Sequence, residues 1–173
     1  MLVLGIETSC DETALAIVED GRKVIANKVY SQIAKHRNWG GVIPELASRL
    51  HLDVINDLLA ELFADCDLSM EDVQTIAVSS GPGLVGSLMV GANLAKVLAW
   101  LYNKPLVEVN HLHGHVCANF LDSDLKPPFL CMLASGGHTQ IIEMQSYTNM
   151  KILAETVDDA AGEAFDKVAR LMG

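Results

Sequence analysis

One supersecondary unit occurs twice in this chain, and that repetition narrows the folds open to it. Leu2-Val3-Leu4-Gly5-Ile6 is a short apolar run that reads as a buried strand, and Ala14-Leu15-Ala16-Ile17-Val18 is a second, with the turn Glu7-Thr8-Ser9-Cys10-Asp11-Glu12-Thr13 between them. Phe129 to Leu133 and Gln140 to Met144 repeat the pattern around Ala134-Ser135-Gly136-Gly137-His138-Thr139. The two copies lie about the length of a small α/β domain apart. Gly21 begins another turn, and Lys23 to Tyr30 alternates well enough for a third strand, so the N-terminus is expected to be an antiparallel meander. Its first turn is dense in hydroxyls and carboxylates. Such a turn can offer N–H and hydroxyl groups to a phosphate while its acids hold a hydrated cation, or it can be a polar hairpin loop and nothing more.

The rest of the chain supplies helices and a second loaded position. Ser31 to Val42, with His36-Arg37-Asn38-Trp39-Gly40-Gly41, reads as an exposed loop whose Trp either contacts a substrate or partner or packs as a lid on its own domain. Pro44 suits a helix start, and Leu46, Leu50, Val54, Leu58 and Leu62 form a helical stripe, with Glu45, Arg49 and His51 read either as solvated surface or as facing the site together with the loop before them. Thr75 to Ser79 is the next buried strand. It feeds Ser80-Gly81-Pro82-Gly83-Leu84-Val85-Gly86 and a helix to about Tyr102, in which Gly86, Ala92 and Ala95 suggest close packing more than phosphate binding.

Leu106 to Val109 is a further strand, and it delivers Asn110-His111-Leu112-His113-Gly114-His115, three of the six histidines in five residues. On a helix His111 and His115 share a face and can share a metal ion; the alternative is a pair of ordinary surface histidines. A zinc protease is disfavoured because Leu112 stands where the H-E-x-x-H signature needs its glutamate base. Asp122 to Pro128 is charged, Pro-rich and aperiodic, so it is the expected domain boundary, giving residues 1–121 and 122–173. The last segment, Val157 to Leu171, has an apolar face of Ala161, Phe165, Val168 and Leu171. Asp166 there is either solvated or placed to accept hydrogen bonds from a ribose.

Composition bounds the function. Half of the 173 residues are hydrophobic, which is enough for one good core or two small ones. Four scattered cysteines with no C-x-x-C pair argue against a disulfide framework or zinc knuckle and suit a reduced, cytoplasmic setting. The longest uncharged run, Val73 to Ala95, is broken by Ser79 to Gly83, and no basic segment precedes the first strand, so neither a membrane span nor a signal peptide is expected. A net charge of −10 opposes non-specific binding to a polyanion.

Paired turns of this kind, facing each other across a cleft, form the phosphate clamp of the actin, hexokinase and heat-shock-protein ATPase superfamily, a fold-level analogy. Several runs are more specific: Gly5 to Thr13, Gly40 to Arg49, Gly81 to Gly86, His111 to His115, Ser135 to Thr139 and Asp158 to Lys167. In this order they closely resemble the TsaD family of tRNA threonylcarbamoyladenosine transferases, formerly called glycoproteases. The related TsaB shares the fold but lacks the histidine pair. The resemblance implies an α/β, actin-like (ribonuclease H-like) duplicated fold, here the first domain and the start of the second. It implies an iron or zinc ion held by His111, His115 and an aspartate from the C-terminal half, and an adenine nucleotide at Ala134, Ser135, Gly136, Gly137 and His138 with Asp166 on its ribose. Ser9, Asp11 and Glu12 would lie near the reactive end. The implied substrates are threonylcarbamoyl-adenylate and tRNA, and the implied partners are a TsaB-like actin-fold protein and a TsaE-like ATPase. The family is longer than this chain, so the expectation for the polypeptide by itself is weak metal and nucleotide binding and a tendency to self-associate. The runner-up is a non-catalytic binding or dimerisation module of the same fold. An ATP phosphotransferase is a third reading, and it rests on the twin turns.

Overall fold

A computed structural model describes residues 1–172, the side chain of Asn38 excepted. The chain divides into two compact units. The first comprises Met1–Gly114 with Leu121–Ser123, the second His115–Phe120 and the chain from Asp124 onward.

The first unit is built on a five-stranded sheet in the order β3-β2-β1-β4-β5, from β1 (Leu2–Glu7), β2 (Glu12–Glu19), β3 (Lys23–Ser31), β4 (Thr75–Gly81) and β5 (Leu106–Asn110). The first three form the expected antiparallel meander, whereas β4 joins β1 in parallel and β5 joins β4 in parallel. A short helix α1 (Ile33–His36) and a single 3-10 turn (Arg37–Trp39) follow β3. The segment expected to be an exposed loop is therefore partly helical, and His36 is buried within it. Helices α2 (Pro44–Ala64) and α3 (Val85–Leu101) pack on the sheet and on each other. The core is the alternate residues Leu4, Ile6, Leu15, Ile17, Ile76 and Val78 of the strands against Ile55, Leu58 and Leu62 of α2 and Val90, Ala95 and Leu98 of α3.

The buried stripe of α2 runs Ala47, His51, Ile55, Leu58 and Leu62: Leu58 and Leu62 are buried as expected, and the first three positions lie one residue on from the expected Leu46, Leu50 and Val54. Leu46, Leu50 and Val54 are only half-buried. Ala47 is fully buried, and His51 takes a core position because its ring is hydrogen-bonded, as shown below. Helix packing through glycine is as expected at Gly86, where an added Cβ would lie 3.1 Å from the Ser48 side chain of α2.

Helix α4 (His111–Cys117) follows β5 directly. The second unit has a three-stranded antiparallel sheet in the order β6-β7-β8, from β6 (Phe129–Ala134), β7 (Thr139–Ser146) and β8 (Asn149–Glu155), and ends in α5 (Ala161–Met172). Phe120 packs edge-on to Phe129 and against Tyr147 in this unit. The fold is of the α/β, actin-like kind that the resemblance implied.

Candidate active site

Three neighbouring parallel strands deliver side chains to one edge of the first sheet. Glu7 ends β1, Ser79 and Gly81 lie at the end of β4, and Asn110 ends β5 with His111 next in the chain. Carboxyl ends of parallel strands are where open α/β sheets gather polar groups. The Glu7 carboxylate accepts hydrogen bonds from the Ser9 N–H, the Ser79 hydroxyl and His111 Nδ1, the last at 3.2 Å. Ser9 Oγ is also 3.1 Å from His111 Nδ1. Burial works to raise the Glu7 pKa, but the bonds from His111, Ser79 and Ser9 outweigh it and hold the carboxyl at about 2. The His111 pKa is raised, chiefly by the Glu7 carboxylate and against the effect of burial.

The loaded turn between β1 and β2 is fastened to α3. Thr8 Oγ1 donates to the Ser87 carbonyl at 2.7 Å and accepts from the Gly91 N–H at 3.1 Å, so one hydroxyl sits between the two ends of an ordinary helical hydrogen bond. Only glycine permits this at position 91, since an added Cβ would come within 2.5 Å of Thr8 Oγ1. The Leu84 N–H donates to the Ser9 carbonyl at 2.7 Å, and Gly83 fits against that same residue, where a Cβ would lie 2.5 Å from its carbonyl oxygen.

On its other side the turn is held by His51 of α2, which sits at 0 % exposure and faces the turn, the second of the two positions open to it from the sequence. Its Nδ1 is 2.7 Å from the Thr13 hydroxyl and its Nε2 is 3.1 Å from the Cys10 carbonyl. A carbonyl can only accept, so Nε2 carries the proton and Nδ1 accepts from Thr13. Burial lowers the His51 pKa, while the Cys10 carbonyl and the charges of Glu7 and Asp11 act the other way. Glu45 and Arg49, by contrast, form an exposed ion pair, as their expected surface position requires. Of the other residues of this turn, Asp11 is half-buried, Glu12 is exposed and opens β2, and the Cys10 thiol is pushed up to about 11, first by burial and then by Asp11.

Asn110 sets the start of α4. Its Oδ1 accepts from Leu112 N at 2.9 Å and His113 N at 3.2 Å, which satisfies two of the orphan N–H groups of the first turn. His111 and His115 thus stand one turn apart on one helix. The donor set fits a divalent iron or zinc ion in kind: it has two imidazoles, and one ring nitrogen of His111 is held by a carboxylate as in most metal-binding histidines. Two are fewer than such an ion takes, and among the described residues no group of three His, Cys, Asp or Glu side chains converges to hold one.

In the second unit the turn from β6 to β7 is closed on itself. The Ser135 N–H donates to the His138 carbonyl at 2.8 Å, and the His138 N–H donates to Ser135 Oγ at 3.0 Å. The N-terminus of α5 abuts it, with Gly162 N donating to the Ser135 carbonyl at 3.1 Å and Ala161 N to Thr139 Oγ1 at 2.8 Å. A Cβ on Gly162 would lie 2.7 Å from the Ser135 carbonyl oxygen. On Gly136 and Gly137 an added Cβ would meet nothing within 4 Å, so that side of the loop is open. Asp166 is exposed one turn along α5 from Gly162, while Asp159 and Glu163 are both engaged by Lys167.

The family model described as TsaD, tRNA N6-adenosine threonylcarbamoyltransferase, matches residues 23–173. The chain belongs to the TsaD family. It is 52 % identical over 172 residues to the tRNA N6-adenosine threonylcarbamoyltransferase of Clostridium botulinum strain Hall, covering 99 % of this chain and 51 % of that protein. It is 47 % identical over 173 residues to the protein of the same description from Staphylococcus aureus strain JH9, covering 100 % and 51 %. The chain thus spans about half the length of the curated TsaD relatives it matches. Among solved structures, YeaZ from Pseudomonas aeruginosa shares the fold at a TM-score of 0.57 and 16 % identity, over 90 % of this chain and 65 % of that one. The ethanolamine utilization protein EutJ from Carboxydothermus hydrogenoformans does so at 0.55 and 15 %, over 99 % and 57 %. Among the described residues of this TsaD chain, no helix is long and apolar enough to cross a membrane.

Within the TsaD chain, the geometry joins Ser9 to His111 through Glu7 and joins Ser135 to the start of α5. Glu7 and Ser79 received no individual role from sequence reasoning, although Glu7 and Thr8 lie in the turn it singled out, and the anchoring contacts of Thr8 and His51 were not foreseen. The strand order would have found the first two, since only a parallel β1-β4-β5 arrangement brings positions 7, 79 and 111 together.

Proposed function

We propose that the full-length protein carrying this chain transfers a threonylcarbamoyl group from threonylcarbamoyl-adenylate to the exocyclic amine of the anticodon-adjacent adenosine of tRNA. The observation that supports it is 52 % identity, over nearly all of this chain, to a transferase of that description. In this reading residues 1–121 are a first actin-like domain and 122–173 open a second. The adenylate sits at Ala134, Ser135, Gly136, Gly137 and His138, with its phosphate toward the N–H groups that start α5 and its ribose toward Asp166. Ser9, Asp11 and Glu12 lie near the acyl end.

His111 and His115 are the ligands this chain gives to an iron or zinc ion, with the Glu7 carboxylate fixing the ring of His111. The chemistry such an ion supplies when bound is orientation and polarisation of the acyl group. The adenosine amine attacks the carbamoyl carbon directly. The new bond is C–N, the bond that breaks joins that carbon to the phosphate oxygen, and the leaving group is AMP, with the amine proton passing to solvent. Backbone N–H groups of the loops neutralise charge developing on the carbonyl oxygen. No side chain serves as nucleophile; the obvious one, Cys10, has a thiol pushed up to about 11 and stays protonated. The protein works in the cytoplasm with a TsaB-like partner and a TsaE-like ATPase, and the chain by itself tends to self-associate.

The test is reaction of the full-length protein with the adenylate, followed by mass spectrometry of the protein. Direct transfer leaves every side chain unmodified, and a threonylcarbamoyl adduct on Cys10 would sink it.

A further inference from the structure

The acidic chain has one stretch where acids are missing. From Gly21 to Pro44 there is no Asp or Glu, and the stretch carries five of the twelve Lys and Arg residues. Three of the five are engaged: Lys23 with Glu19, Lys28 with Asp65, and Arg22 with the Ser123 carbonyl. The other two, Lys35 and Arg37, are exposed and make no ion pair among the described residues. Two residues on is Trp39, 69 % exposed. A large aromatic left in water costs free energy unless something covers it.

The platform carrying these three side chains is fixed, and fixed to the candidate site. Gln32 N donates to the Asp11 carbonyl at 3.0 Å, so the segment departs from the loaded turn itself. Gln32 and His36 are both buried; Gln32 Nε2 donates to the Ala47 carbonyl at 3.3 Å, and His36 Nε2 is 3.0 Å from Gln32 Oε1. His36 Nδ1 accepts from Ile43 N at 3.3 Å, which ties the far end of the segment to the near one. The 3-10 turn then closes through Gly40, whose φ of 71° needs no Cβ. A buried glutamine–histidine pair thus anchors the segment that carries Lys35, Arg37 and Trp39, and the segment begins at the hydrogen bond from Gln32 to Asp11.

We propose that this segment is an RNA-contact surface, in which Lys35 and Arg37 neutralise backbone phosphates and Trp39 stacks on an unpaired base of the tRNA anticodon loop. The proposal rests on the transfer reading above and adds to it where the RNA is held. An adenosine whose exocyclic amine must reach an acyl donor has to be splayed from its loop, and splayed bases are recognised by aromatic faces with cations on the neighbouring phosphates. With a chain charge of −10, phosphate contacts have to be concentrated where local charge is positive. The segment also exposes apolar Ile33 and Val42, so a protein partner is the competing occupant that the test below separates.

The test measures tRNA affinity and modification by the full-length protein with its partners, for wild type, Trp39→Ala, Trp39→Phe and Lys35→Ala/Arg37→Ala. All three substituted sites are exposed, and thermal melts check that the variants fold. Trp39→Ala is expected to weaken tRNA binding about tenfold while Trp39→Phe stays within about threefold of wild type. The double variant should lower the slope of log affinity against log salt by about 1.4, at about 0.7 per phosphate contact on single-stranded RNA. If wild type binds and modifies tRNA but the variants bind it as wild type does, the surface is wrong and the transfer reading stands. If the variants lose a protein partner and keep tRNA, the surface is a protein contact and the proposal is overturned. If folded wild type neither binds nor modifies tRNA, the transfer reading itself fails, and this proposal with it.

Discussion

A single methyl group separates glycine from alanine, and at position 91 there is no room for it. In an exposed helix interior Gly→Ala stabilises by up to about 1 kcal/mol. Here the new Cβ would meet Thr8 Oγ1 at 2.5 Å, and Thr8 is buried with both hydrogen bonds committed, so it cannot swing away. Gly91→Ala is therefore expected to lose roughly 1–3 kcal/mol in urea unfolding, an overpacking cost, and a more stable variant would contradict the insertion of Thr8 into α3. His51 carries the pH prediction. Its folded pKa lies below the ordinary value of 6.5, so the unfolded chain binds the proton more readily. The stability due to neutral His51 is complete above about pH 6.5 and is lost as pH falls below it. Replacing His51 with Gln should flatten the pH dependence of unfolding midpoints over that window; an unchanged slope would show that the ring does not titrate with folding. Neither role could be read from local sequence. His51 sits among Arg, Leu and Asp in a helix whose polar face looked continuous, and only its partners Thr13 and Cys10, some forty residues back, make it an interior residue.

At the scale of elements, the strands of the first meander and the helix after the glycine-rich turn were legible because apolar runs and turn residues are local signals. Helix α1 and strand β8 were not. The first is one turn long and held by the buried Gln32–His36 pair, and β8, Asn149-Met150-Lys151-Ile152-Leu153-Ala154-Glu155, has only partial alternation and owes its place to pairing with β7. The C-terminal part of the α2 face, Leu58 and Leu62, was legible, and its N-terminal part was displaced by one residue because Leu46, Leu50 and Val54 outweighed Ala47 and His51 in any hydrophobicity count. Two elements make testable demands. Asn110→Ala removes both side-chain bonds to the start of α4, so amide exchange at Leu112 and His113 should quicken by roughly the fivefold that a lost cap of about 1 kcal/mol allows. Gly162→Ala puts a Cβ 2.7–2.9 Å from Ser135 and Gly136 backbone, which cannot yield as a flexible side chain would. In the full-length protein that variant should keep its far-ultraviolet circular dichroism and lose at least about tenfold in adenylate affinity. Normal affinity would separate the Ser135 loop from nucleotide binding.

For the whole molecule, the recurrence of a strand, a polar turn and a strand was the feature that pointed to an actin-like arrangement, and both copies are present as β1–β2 and β6–β7. What the sequence could not show is how parallel strands align Glu7, Ser79 and His111, because that register is a long-range property. Large apolar side chains remain exposed on two helices: Met89, Val97 and Trp100 on α3, and Phe165, Val168 and Leu171 on α5. The chain on its own is accordingly expected to sediment faster as its concentration rises, and a concentration-independent monomer would show that these faces are tolerated in water. The central claim is the transfer reaction, and the most direct measurement is mass spectrometry of tRNA nucleosides after the full-length protein and its partners meet threonylcarbamoyl-adenylate and unmodified tRNA. The account predicts one threonylcarbamoyl group on the anticodon-adjacent adenosine for each AMP released. AMP released while that adenosine stays unmodified, with every component folded, would contradict it.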